Sequence, residues 1–88
     1  MTTKKIKVSN KLGLHARPAT MLVKEASKYD STIKLVNDTT EVSAKSIMGL
    51  LVLAAGKGTE LEIRAEGPDE EEAVEAVANL FSSNFDEE

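Results

Sequence analysis

Only one histidine, His15, occurs in these 88 residues, and its neighbours mark it as the place to look for reactivity. The segment reads Gly13-Leu14-His15-Ala16-Arg17-Pro18-Ala19. An imidazole nitrogen is a competent nucleophile near neutral pH, because its ordinary pKa is about 6.5. From Ala16 onward apolar residues recur at helical spacing (Ala19, Leu22, Val23, Ala26), so His15 falls at a helix start. A helix start presents backbone N–H groups without intrahelical partners and the positive end of the macrodipole, which together favour an anion. Pro18, in the first turn, forfeits no helix bond and supplies no donor, which leaves the N–H groups of Ala16 and Arg17. The Arg17 guanidinium can fork onto phosphate oxygens. Nucleophile, anion cradle and counter-charge thus fit within three residues. The same residues would also suit a histidine that merely begins a helix beside a solvated arginine, and physics alone does not separate the two readings.

Other chemistries are closed off by composition. With no cysteine there is no disulfide framework, no thiolate nucleophile and no cysteine-ligated zinc, and one histidine makes no cluster for a metal. No metal or cofactor is expected. The basic N-terminus, Met1 to Lys7, is followed by no apolar run of signal-peptide length, and the longest apolar stretch, Leu50 to Ala55, is far too short to span a bilayer. A soluble, cytoplasmic protein without membrane insertion is expected. The net charge of −4 hides an asymmetry. Residues 1–59 carry ten Lys/Arg against four acids, net +6, and residues 60–88 carry one Arg against eleven acids, net −10. Such an imbalance is either solvated surface charge or a basic working face for acidic partners. Nucleic acid is not an expected partner, because the chain is acidic overall and aromatics are only 3%.

The elements that must hold His15 follow from the periodicity. Residues 4–8 alternate, with Ile6 and Val8 on one side, and predict a strand. Asn10 to Gly13 is a polar turn, and the helix after His15 runs to about Lys28. Thr32 to Val36 alternates again, with Ile33 and Leu35 inward. Asn37-Asp38-Thr39-Thr40 has turn chemistry, and Glu41-Val42-Ser43 returns as a short strand to make a hairpin. Residues 47–54 form a short helix, capped by Ser46 and stopped by Gly56-Lys57-Gly58. Leu61, Ile63 and Ala65 alternate with charged residues as a fourth strand. Gly67-Pro68 breaks it; Asp69 is placed to cap the last helix, with Glu72 in the capping-box position. Glu70 to Glu72 suit that helix's positive end. Val74, Val77, Ala78 and Phe81 form its buried stripe, and the tail Asp86-Glu87-Glu88 is expected to fray. Cleanly alternating strands have one wet face, which argues for an antiparallel sheet covered on one side. The expectation is one domain over residues 1–88, of the α+β class. It is an open-faced two-layer sandwich, a four-stranded antiparallel sheet covered on one side by three helices in the order β-α-β-β-α-β-α.

The short helix is apolar nearly all round (Ile47, Met48, Leu50, Leu51, Val52, Leu53). A helix packed on one sheet buries one side, so part of this cluster should stay exposed as a docking surface unless it is unusually deeply buried.

Gly-Leu-His-Ala-Arg-Pro-Ala resembles the active-site motif of HPr, the histidine-containing phosphocarrier family of the bacterial phosphoenolpyruvate-dependent phosphotransferase system. Ser46-Ile47-Met48-Gly49-Leu50 resembles the family's second signature, and residues 67–81 its C-terminal helix, so the resemblance covers practically the whole chain. It implies the HPr fold. It implies that His15 takes a phosphoryl group on Nδ1 from phosphorylated enzyme I and passes it to an enzyme IIA domain, while Arg17 steadies the phosphate. The chain would then be a relay intermediate without turnover of its own, and a monomer that shows one face to successive partners. By the same resemblance, Ala16, Ile47, Met48 and Leu51 join Arg17 in contacting partners, with Lys24 and Lys45 supplying positive charge around them. Ser46 would be phosphorylated by an HPr kinase/phosphorylase, with a transcriptional regulator as a further partner. Asn10-Lys11-Leu12-Gly13 and the two acidic segments 67–72 and 84–88 look like the nitrogen-related branch, which is regulatory. Ser46-Ile47-Met48-Gly49 looks like the kinase-regulated sugar carriers. Two other classes bear comparison: an acylphosphatase-like enzyme, set apart by turnover, and a pure interaction module, which would work without His15.

Overall fold

Two side-chain periods alternate along the chain, and the backbone follows them. The computed structural model describes residues 1–38, 40–53 and 56–86. The elements are β1 (Thr2–Lys7), α1 (Ala16–Ala26), β2 (Thr32–Asn37), β3 (Thr40–Ser43), α2 (Ile47–Leu53), β4 (Glu60–Glu66) and α3 (Glu70–Ser82), followed by a 3₁₀ turn at Asn84–Asp86. The predicted order is therefore present, with several ends displaced by one or two residues; the end expected for the short helix at Ala54 lies outside the described residues. The N-terminal strand starts earlier and stops before Val8, which is buried just beyond it. Helix α1 ends at Ala26 rather than Lys28, because the N–H groups of Lys28 and Tyr29 turn back to the Glu25 and Ala26 carbonyls in tighter steps.

The sheet runs β1-β4-β2-β3, and every neighbouring pair is antiparallel. Register places Ile6 opposite Leu61, Leu35 opposite Ile63 and Val42, and Ile33 opposite Ala65. These side chains share one face. A slip of one residue in any strand would turn its apolar set to solvent, so burial itself specifies the register. The helices cover that face: Leu22 of α1, Leu50 of α2, and Val74, Val77, Ala78 and Phe81 of α3 join one buried cluster with the strand residues. Each large aliphatic side chain so buried stabilises the fold by about 1.5–3 kcal/mol before conformational entropy is set against it. On the open face Lys5 lies opposite Glu62, and Lys7 opposite Glu60. There Lys34 also pairs with Glu41 at 3.5 Å and Arg64 with Glu62 at 2.6 Å.

Two local expectations are corrected. Asp69 precedes α3, but its side chain does not cap it. Its carboxylate reaches 38 residues back, where Oδ1 accepts from the Ser31 N–H (3.0 Å) and hydroxyl (2.5 Å) and Oδ2 from the Asp30 N–H (3.0 Å). Three donors outside the helix outcompete a cap at its own first turn. Glu70, not Glu72, reaches back along the chain, accepting from the Gly67 N–H at 3.1 Å and from the Thr2 hydroxyl at 2.7 Å. The tail is also more ordered than its charge implied. Asp86 belongs to the 3₁₀ turn, its N–H bonded to the Ser83 carbonyl at 3.0 Å; the fraying expected of Glu87 and Glu88 lies outside the described residues. Phe85 is fully buried and meets Phe81 edge-on, ring centroids 4.9 Å apart. That burial holds Asn84, Phe85 and Asp86 in the left-handed region, where non-glycine backbone is disfavoured.

Candidate functional site

His15 occupies the N-cap of α1 with extended backbone (φ −88°, ψ −168°), and its carbonyl accepts the first helical bond from the Ala19 N–H at 3.0 Å. Its side chain makes no capping bond, so the plain helix-cap role for the imidazole is not the one the structure displays. The residue is half-buried. Ala16 and Arg17 follow as the first two helical residues, both exposed, and Pro18 packs inward. Arg17 Nη1 donates to the Phe85 carbonyl at 3.3 Å, so the C-terminal turn touches the guanidinium two residues from the imidazole. No acidic residue stands in the first turn of α1, which leaves the positive end of its dipole uncompensated from within the helix.

The chain enters His15 through the Asn10–Gly13 turn. The Gly13 N–H donates to the Asn10 carbonyl at 3.2 Å, and Gly13 sits at φ +67°, a conformation that suits a residue without a side chain. Leu14 is buried, which pins the residue next to the imidazole to the core.

A second group of expected residues gathers around α2. Ser46 Oγ accepts from the Gly49 N–H at 3.1 Å and its carbonyl from the Leu50 N–H at 3.1 Å, so Ser46 is the N-cap the sequence predicts. Leu50 and Leu53 face the core, while Ile47, Met48 and Leu51 remain 40%, 71% and 38% exposed. Deep burial of the whole helix is thereby ruled out. Lys24 and Lys45 are exposed. The Lys45 ammonium donates to the Tyr29 carbonyl at 2.7 Å, beyond the C-terminal end of α1. An 11-residue helix is about 16 Å long, so Lys45 and the adjacent Ser46 lie at the opposite end of α1 from His15 and Arg17. His15, Ala16 and Arg17 are thus brought together; Ser46 and Lys45 form a separate group, and α2 packs alongside α1.

Sequence reasoning missed two contributors to this region. Phe85 supplies the carbonyl that Arg17 meets; its spacing of four from Phe81 was the available signal, obscured by the acidic tail around it. Asn10 enters the sequence reading as a turn residue and as part of the segment that looks like the nitrogen-related branch; the burial of its side chain leaves no mark in the pattern.

The fold and the lone histidine at the mouth of the first helix define a class, the small open-faced α+β sandwiches that carry a histidine at that position. Residues 2–83 match the family model described as the PTS HPr component phosphorylation site, and the chain belongs to that family, the HPr and NPr phosphocarriers of the phosphotransferase system. It is 52% identical to phosphocarrier protein HPr of Treponema pallidum (strain Nichols) over 88 residues, the full length of both chains. It is 47% identical to phosphocarrier protein NPr of Escherichia coli (strain K12) over 90 residues, again covering both chains completely. Among solved structures, HPr-C-His from Thermoanaerobacter tengcongensis superimposes with a TM-score of 0.96 at 46% identity, covering 100% of this chain and 99% of that one.

Proposed function

We propose that His15 accepts a phosphoryl group on Nδ1 from phosphorylated enzyme I and donates it to an enzyme IIA domain. One observation carries this reading: the imidazole stands at the N-cap of α1 without being used to cap it, with the exposed Arg17 guanidinium two residues on. Phosphoryl transfer needs positioning and charge stabilisation more than covalent assistance. The Ala16 and Arg17 N–H groups, the helix dipole and the guanidinium supply both. Such a cradle should hold phosphate only moderately, since a carrier must release what it takes. In this reading the chain is a relay component with no turnover of its own, a single domain acting in the cytoplasm. Among the described residues no helix is long and apolar enough to cross a membrane.

Docking falls to Ala16, Ile47, Met48 and Leu51, with Lys24 and Lys45 around them, because these side chains are exposed beside the helix that carries His15. Ser46 is proposed as a regulatory phosphorylation site for an HPr kinase/phosphorylase, with a transcriptional regulator reading the modified form. A phosphate there would sit at a helix N-terminus, where its charge is accommodated. The nitrogen-related branch is the second reading, favoured by the 47% identity to an NPr over its full length. The carrier is proposed to work as a monomer; since the T. tengcongensis HPr has also been crystallised as a dimer, light scattering at working concentration decides the point.

The test is direct. Incubation with enzyme I and labelled phosphoenolpyruvate should give an acid-labile, alkali-stable label that disappears in His15→Ala. A chain that takes no label, or keeps it after that substitution, refutes the proposal. With ATP and an HPr kinase, an alkali-sensitive label lost in Ser46→Ala is expected.

A further inference from the structure

The loop leading into His15 is fastened at one carbonyl. The Gly13 oxygen accepts from Asn10 Nδ2 at 2.8 Å and from the N–H of His15 itself at 3.0 Å. The Gly13 N–H returns to the Asn10 backbone carbonyl at 3.2 Å, so Asn10 closes the turn with main chain and side chain together. Its side chain points inward at 2% exposure, while Lys11 and Leu12, the residues it encloses, face solvent. Taking a carboxamide out of water costs on the order of 1–3 kcal/mol unless hydrogen bonds compensate, so a buried asparagine beside a reactive loop calls for a reason. The other buried polar side chain among the described residues, Ser31, is accounted for by its bonds to Asp69.

The geometry supplies the reason. The His15 backbone is held on both sides, its carbonyl by the Ala19 N–H of α1 and its N–H by the Gly13 carbonyl. The first hold belongs to the helix. The second depends on where the Gly13 carbonyl stands, and Asn10 Nδ2 fixes it at a distance of three residues. We infer that Asn10 is a positioning residue for phosphoryl transfer: by anchoring the Gly13 carbonyl it sets the His15 peptide and so the aim of the imidazole at the mouth of α1. This rests on the reading of His15 as the phosphoryl acceptor. A displacement of about 1 Å at a reacting group is enough to cost on the order of 100-fold in rate.

The experiment compares the parent with Asn10→Ala and with Asn10→Asp, which keeps the shape of the side chain and loses the Nδ2 donor. Single-turnover uptake from phosphorylated enzyme I is followed against carrier concentration, with folding checked by circular dichroism and His15 amide exchange followed by NMR. The saturating rate should fall about 10–100-fold in the folded variants. The half-saturating concentration should stay within about twofold, because the exposed face of α2 is untouched. The His15 amide should exchange faster while those of Leu35 and Ile63 do not change. A residue that served stability alone would lower the melting temperature and leave the saturating rate of folded molecules intact. A folded variant transferring at the parental rate therefore overturns the inference, as does loss of the fold in both variants. A parent that takes no phosphoryl group removes the His15 reading and this inference with it; a parent that takes it no faster than its variants removes this inference alone.

Discussion

A group that must both take and give up a phosphoryl needs charge stabilisation that is near but not tightly held. The Arg17 guanidinium is exposed two residues from His15 and donates to the Phe85 carbonyl at 3.3 Å. Arg17→Ala should lower the saturating transfer rate about 100-fold, the usual scale for removing one charge-stabilising donor from a transition state. Arg17→Lys should recover only part of it, since an ammonium cannot reproduce the two-pronged fork. Rapid-quench uptake from phosphorylated enzyme I measures both, and a parental rate in Arg17→Ala would remove Arg17 from the phosphate site. At this scale the place of His15 and Arg17 at the start of α1 was legible in advance, because the helical period opens within the same seven consecutive residues. The burial of Asn10 and the contact with Phe85 were not, because a buried amide and an acceptor carbonyl 68 residues away have no local signature.

Among the elements, the β4–α3 connection is a tight joint. Gly67 adopts φ +151°, and a Cβ there would lie 2.7 Å from the Cα of Ser31. Gly67→Ala should therefore destabilise the protein by about 2 kcal/mol or more, read from urea unfolding, because both backbone angle and neighbour resist it. The same joint sets a pH dependence. Hydrogen bonds from the Ser31 side chain, then from the Asp30 and Ser31 N–H groups, hold the Asp69 carboxyl below its ordinary range. Those from Thr2 and Gly67, with the terminal ammonium, do the same for Glu70. A carboxyl depressed in the folded state contributes stability above its unfolded pKa, about 4 here, and loses it as pH falls through the folded value. Asp69→Asn should accordingly lower the melting temperature at pH 7, and the gap to the parent should narrow as pH drops from about 4 toward 2. A gap that stays constant over that range would dissociate Asp69 from the acid transition. The cap assigned to Asp69 from sequence illustrates the limit at this scale: a local motif names the acceptor, but Ser31, 38 residues distant, supplies stronger donors.

Across the whole molecule, part of the charge asymmetry of the two halves is brought together by the fold. Lys5 and Lys7 face Glu62 and Glu60 across the β1–β4 pair, and Lys4 reaches Glu75 of α3 at 3.6 Å. Other basic residues stay exposed, among them Arg17 and Lys24 on α1 and Lys45 just before α2. If these three steer an acidic donor, Lys24→Glu with Lys45→Glu should slow uptake about tenfold at low ionic strength, and the deficit should shrink as salt is raised toward 1 M. Stopped-flow rates against salt check it; a deficit that does not respond to salt would mean the lysines act otherwise than through long-range charge.

The one-dimensional pattern was enough for the number, type and order of the elements, for the face each strand turns inward, and for the place of His15, Ala16 and Arg17 at the start of α1, since all of these arise from neighbours in the chain. Folding decided the partners: which carbonyl anchors the His15 loop, where the Asp69 carboxylate goes, how Phe85 is drawn under α3, and which lysines stay exposed. Hydrogen bonds and ion pairs go to the nearest suitable group in space, and periodicity along a chain carries no record of that distance.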